Sequence, residues 1–179
     1  AGYIPALLPF SALLLTPVFG GISDKKGKGA TIMIIGSIIL VCVHLLFSIP
    51  SLNSFPIAIG LVMVLGIAFS LVPSAMWPAI AKIIPESKLG TAYAMTFWVQ
   101  NWGLMGVPLL IGYVLDKYCI TGTITKMVEG KAQIITQYNY TIPMLIFSCF
   151  GILAIVFAFL LKAEDKKMGY GLEKPNIRE

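Results

Sequence analysis

Residues 31–49 read TIMIIGSIILVCVHLLFSI. The run carries no charge, and from Ile32 to Val43 it offers almost no polar face. A helix that sits at a water interface keeps one side polar. At 1.5 Å per residue the run extends roughly 28 Å, close to the ~30 Å hydrocarbon core of a bilayer. Four comparable stretches flank it: Ala1–Ile22, Ile57–Ile80, Leu89–Val114 and Tyr140–Leu161, and none contains Lys, Arg, Asp or Glu. The expected fold is all-α, a polytopic transmembrane helical bundle of five spans. Residues 1–161 form the bundle, and residues 162–179 a charged tail expected to fray. In lipid every backbone polar group must be satisfied internally, so function is sought in polar residues that face protein or a watery cavity.

Composition narrows the classes further. Apolar residues make up 58% of the chain and charged residues 12%, against roughly 45–50% and 25% in soluble domains. The net charge of +5 resides in loops and tail without aromatic stacking platforms, so membrane topology explains it better than nucleic acid does. Cys42 and Cys149 fall inside spans, and Cys119 has no obvious partner. There is no CxxC and no His/Cys cluster, so no metal or cofactor is expected. The start of the chain has no basic segment of a signal peptide and reads as if in mid-helix, which suggests a fragment.

The gaps set an orientation. Lys25, Lys26 and Lys28 occupy the first gap, none the second, Lys82 and Lys88 the third, Lys117, Lys126 and Lys131 the fourth, and Lys162, Lys166, Lys167, Lys174 and Arg178 the tail. Alternate gaps lie on opposite sides, so the positive-inside rule puts the first gap, the third gap and the tail in the cytoplasm. Pro50 and Pro56 bracket a tight outer turn containing Asn53. Pro85-Glu86-Ser87 suits the start of the fourth helix. The segment Asp116–Asn139 alternates Ile and Thr too weakly to declare a strand. Asn139-Tyr140-Thr141 fits a glycosylation sequon but abuts the fifth span.

The first gap, Gly20-Gly-Ile-Ser-Asp24-Lys25-Lys26-Gly27-Lys28-Gly29, is more specific than a basic loop. Gly20 suits a close helix approach, Asp24 can pair with a base or a helix N-terminus, and Gly27 permits a tight reversal. The spacing G-x-x-x-D-K-x-G-K resembles the loop signature of the major facilitator superfamily, departing at Gly29 where a base is usual. Pro108 through Lys117, with Gly112 and Asp116, echoes Pro17 through Lys25 at the opposite face, as an inverted three-helix repeat does. The segments Ser70–Ala79, Ile84–Tyr93 and Gln100–Gly103 are similar to the subgroup that includes the animal lysosomal dipeptide transporter and its prokaryotic relatives. The resemblance implies helices eight to twelve of a twelve-helix fold, with the missing N-terminal helices and the lipid bilayer as partners. It also implies alternating access and a small-molecule or peptide substrate.

Candidate site residues follow. Gln100 and Asn101 lie near the centre of the fourth span, where neutral amides either line a cavity or act as packing glue. With Trp98, Tyr93 and Trp77 they form the expected substrate-facing set, Trp77 also being open to an aromatic-belt reading. Ser70 and Ser74 share a stripe with Trp77, and Pro73 and Pro78 free carbonyls there. The resemblance assigns Gly20, Asp24, Lys25, Gly27 and Lys28 to a conformational gate. His44, the sole histidine, is either a proton relay or a packed side chain. Gly90, Gly103, Gly106 and Gly112 are expected at close helix contacts. No nucleotide loop or nucleophile–base arrangement supports an enzyme. The alternative class is a non-transporting membrane interaction or scaffold module. The expected location is a bacterial inner membrane, with the Lys25 loop and the tail cytoplasmic.

Overall fold

A computed structural model describes residues 3–52, 54–128 and 131–176. Five long helices run in the order α1 (Tyr3–Lys26), α2 (Gly29–Phe47), α3 (Phe55–Ile83), α4 (Leu89–Tyr118) and α5 (Thr141–Met168). A β-hairpin, β1 (Ile120–Val128) and β2 (Lys131–Tyr138), separates α4 from α5. Single 3-10 turns lead from α2 to α3 at Pro50–Leu52 and from α3 to α4 at Glu86–Lys88. The expected Asn53 turn residue and Arg178 lie outside the described residues.

Four of the helices are long and apolar enough to cross a membrane: Ala6–Lys26, Gly29–Phe47, Phe55–Ile83 and Thr141–Met168. The fourth of the five expected spans, α4, has the length, at 30 residues, but not the hydropathy. Thr91, Tyr93, Thr96, Gln100, Asn101 and two tryptophans dilute its apolar content.

Close packing joins α1 to α3, α3 to α2, and α2 to α5, and each of these contacts turns on a glycine. A Cβ on Gly66 of α3 would stand 2.5 Å from Ser11 Cβ of α1. One on Gly36 of α2 would stand 3.0 Å from Val72 Cγ2 of α3, and one on Gly151 of α5 would stand 2.6 Å from Val41 Cγ2 of α2. Without a hydrophobic drive between lipid-bathed helices, such backbone approach supplies the dispersion that holds them together. The glycines expected in this role behave differently. A Cβ on Gly20, Gly90, Gly103, Gly106 or Gly112 would meet nothing within 4 Å. All five belong to α1 and α4, the helices with the most open surface, and Val114 is the only buried residue of α4 among those described.

The hairpin adds strand to the expected all-helical fold. Its antiparallel register pairs Ile124 with Ile135 and Thr123 with Thr136, with an irregularity between Ile120 and Gly122. Isoleucines are exposed on both strands, so no buried face imposes the alternation that announces a strand. Tyr138 Oη donates to Asp116 Oδ1 at 3.2 Å and Asn139 N donates to Cys119 O at 2.7 Å, anchoring the hairpin to the end of α4. The sequon asparagine makes a turn just ahead of α5: Asn139 Oδ1 accepts from Thr141 N at 2.9 Å.

The tail also departs from expectation. α5 does not end at Leu161 but continues through Met168, and the chain to Asn176 folds back onto the bundle instead of fraying. The core at this end joins Met33, Ile34, Ala75, Ala79 and Ala158 around Leu172, which is 2% exposed.

Candidate functional site

Two places in the bundle bring the singled-out residues together. The first is the end where α1 stops and α2 begins. Gly27 (φ +71°) and Lys28 (φ +63°) are both left-handed, which gives the tight reversal its shape and favours glycine at the first position. The tail lies directly over this reversal. A Cβ on Gly27 would stand 2.5 Å from Lys174 C and 2.6 Å from Glu173 O, so glycine is needed for the crossing as well as for the turn.

The tail satisfies amides that open α2 and have no partner within the helix. Lys28 N donates to Glu173 O at 3.1 Å and Gly29 N donates to Leu172 O at 2.9 Å. The Glu173 carboxylate accepts from Thr31 N at 3.0 Å and from Thr31 Oγ1 at 2.9 Å. A carboxylate in this position is also favoured by the helix dipole. Lys162 Nζ donates to Thr31 Oγ1 at 2.6 Å and lies 3.9 Å from Glu173 Oε2. Lys82 Nζ donates to the carbonyls of Gly171 and Lys174 at 3.0 and 2.6 Å. The buried Asp165 carboxylate accepts from Leu172 N at 3.0 Å. Asp24 accepts twice from Asn176, through its carbonyl at 2.8 Å and through its carboxylate. Lys25 and the side chain of Lys28 are exposed. Of the expected gate set, Asp24, Gly27 and Lys28 thus meet the tail, whereas Gly20 meets no neighbour. Glu173, Asp165 and Lys82 were missed. Their partners lie up to 142 positions away; the local hint was Gly169, which stops α5 with φ +73°.

The second place is the contact between α3 and α4. Trp77 packs on Phe97 with ring centroids 4.8 Å apart and on Tyr93 at 5.7 Å. Tyr93 Oη donates to Trp77 O at 3.3 Å. Pro78 has no N–H, so the Ser74 carbonyl one turn upstream lacks its helical donor, and the aromatic trio packs α4 against this end of α3. One turn further along α4, Trp98 and Trp102 meet edge to face at 5.9 Å. They form a shallow groove with Asn101 and Met105. Asn101 Nδ2 donates to Phe97 O at 2.8 Å, which leaves its side-chain oxygen as an acceptor. Gln100 is exposed, and among the described residues its amide has no hydrogen-bond partner. The five expected substrate-facing residues therefore divide between the trio (Trp77, Tyr93), the groove (Trp98, Asn101) and the open face of α4 (Gln100). Ser70 and Ser74 are buried and bond within α3, to Gly66 O at 2.7 Å and Leu71 O at 2.8 Å.

His44 lines an apolar crevice of about 400 Å³ with residues of all five helices, among them Leu8, Phe69, Val107 and Phe147. Its Nδ1 bonds Leu40 O at 2.7 Å and its ring lies 5.3 Å from that of Phe147. A carbonyl accepts only, so Nδ1 carries the proton and Nε2 is the free position. Among the described residues, no second titratable side chain lines this crevice.

The Major Facilitator Superfamily profile matches residues 1–176. The lysosomal dipeptide transporter MFSD1 of Gallus gallus is 36% identical over 102 residues, which cover 57% of this chain and 22% of that protein. Its Homo sapiens counterpart is 34% identical over the same length, covering 57% of this chain and 21% of that protein. The inner membrane transport protein YdiN of Escherichia coli is 28% identical over 113 residues, 63% of this chain and 26% of that protein. The chain spans about a quarter or less of these relatives. The match runs almost end to end, and the helices, the Asp24 loop and the apolar spans agree with it: the chain belongs to the major facilitator superfamily.

Proposed function

We propose that this chain is the part from helix eight to helix twelve of a twelve-helix transporter that moves a small polar solute by alternating access. The observation that carries the reading is the middle of α4. Trp98 and Trp102 are 62% and 57% exposed there, and Gln100 and Asn101 lie between them. In a helix at membrane depth, amides and indoles left unpacked need a polar or aqueous neighbour. A substrate path near the midplane between two helix bundles provides one. α1 and α4 bury the fewest of their described residues, and N-terminal helices of the same transporter are the surface that covers them.

Short peptides are the proposed substrate class, supported by the relatives named as dipeptide transporters. Asn101 and Gln100 suit the amide and terminal groups of a peptide, and Trp98 and Trp102 suit its side chains. Asp24 acts in the gate, exchanging Asn176 for charged groups and helix ends on the other half. The basic loop ends face the cytoplasm. His44 contributes to proton coupling only if the rest of the transporter brings a second titratable group to Nε2.

Uptake of a labelled dipeptide by proteoliposomes holding the full-length parent tests the substrate. Asn101→Ala is expected to lower uptake at least tenfold at unchanged protein level. Full uptake by this variant and by Gln100→Ala removes α4 from the substrate path. No uptake by the folded parent removes the peptide class.

A further inference from the structure

The segment Gly169–Asn176 does more than finish α5. It touches α1 at Asp24, the α1–α2 reversal at Gly27, the start of α2 at Thr31, the end of α3 at Lys82 and α5 at Asp165. α4 is the one helix it does not reach among these contacts. Beneath it lies a gap of about 10 Å³, lined by Ser23, Ala79, Lys82, Leu172 and Asn176, with room for one water at most. Ser23 is 4% exposed.

The contacts are of a kind that comes apart. Two apolar side chains anchor the segment, Leu172 in the core and Tyr170 packed against it. The Lys162–Glu173 pair stays 42% and 33% exposed, so water and salt screen it. The other contacts are hydrogen bonds, several of them at exposed groups or to tail carbonyls, where solvent can replace the partner. What the segment occupies is specific: the Asp24 carboxylate and the open amides of α2. The Asp24 carboxylate is the group that the proposed gate uses.

We propose that Gly169–Asn176 is a reversible latch on the Asp24 loop, with the Glu173 carboxylate on the α2 N-terminus as its catch. Closed, it holds Asp24 on the neutral amide of Asn176 and keeps it from partners elsewhere in the transporter. Open, it frees the Asp24 carboxylate and the α2 amides together. Latch and gate then compete for one carboxylate, so loosening the latch speeds the cycle. This rests on the gate role proposed for Asp24.

The reporter is Ser23→Cys in the full-length parent with the other cysteines replaced, reacted with a membrane-impermeant maleimide. Labelling is expected to be slow, and about tenfold faster when Glu173→Gln is added, because the amide keeps the shape of the catch and loses its charge. Dipeptide uptake by Glu173→Gln is expected to rise two- to threefold with KM unchanged. Equal labelling rates in the two backgrounds overturn the latch, as does faster labelling accompanied by a fall in uptake that tracks lost thermal stability, which marks a structural brace. If the parent takes up no dipeptide, the substrate reading fails on its own. The labelling comparison still decides whether the segment opens.

Discussion

At the residue scale the Asp24 loop shows how one position can answer to two demands. Gly27 needs a left-handed backbone and also a bare Cα beneath Glu173 and Lys174. The first demand is legible in the motif spacing; the second depends on a tail nearly 150 positions downstream, which no local pattern encodes. Glu173 is the same case from the other side, an ordinary acid in a charged tail until the fold sets it on Thr31. Glu173→Ala is expected to lower stability by about 1–2 kcal/mol, the range for losing a helix cap, read as a lower melting temperature in detergent. Asp24→Asn keeps an oxygen for Asn176 and removes the charge. It is expected to retain the melting temperature and to lose most uptake, and normal uptake would remove Asp24 from the gate.

At the scale of elements, sequence and structure agree best where one solvent dictates the pattern. α2, α3 and α5 are apolar on every side because lipid or another helix faces every side, and their existence and approximate ends follow from that alone. Which glycines make contacts does not follow. Gly36, Gly66 and Gly151 look no different in sequence from Gly103 or Gly106, and only the pairing of helices separates them. Gly151→Leu is expected to part α2 from α5, where a Cβ alone already stands 2.6 Å from Val41. The cost is about 1–3 kcal/mol or more by overpacking, whereas Gly106→Leu, with nothing within 4 Å, leaves the melting temperature of this bundle unchanged. The hairpin was illegible because, among its described residues, neither face is buried. α4 was legible as a long helix, and its tryptophans and amides give it a less apolar surface than the other four. Its attachment to α3 rests on Trp77, Tyr93 and Phe97, pairs worth about 0.5–1.5 kcal/mol each beyond their area. Trp77→Ala is therefore expected to loosen α4 and lower uptake without unfolding the other four helices, seen as faster proteolysis confined to the α3–α4 turn.

On the scale of the whole molecule, four helices pack through close glycine contacts and are tied at one end by the tail, and α4 stands at the side with its polar centre open. That division assigns the candidate roles. On the proposed function, α1, α2, α3 and α5 would form the body that moves as a unit, and α4 would present its amides and indoles to the solute. The central claim is that this face of α4 lines water at membrane depth. The direct measurement is thiol accessibility in the full-length parent, with single replacements Trp98→Cys, Gln100→Cys and Asn101→Cys on α4 and Leu153→Cys on the exposed side of α5 as the lipid reference. A hydrophilic, membrane-impermeant thiol reagent is expected to modify Gln100→Cys and Asn101→Cys at least tenfold faster than Leu153→Cys, and dipeptide is expected to slow the reaction at Asn101→Cys. Rates at both amide positions as low as at Leu153→Cys would place this face of α4 in lipid or in dry packing and contradict the account.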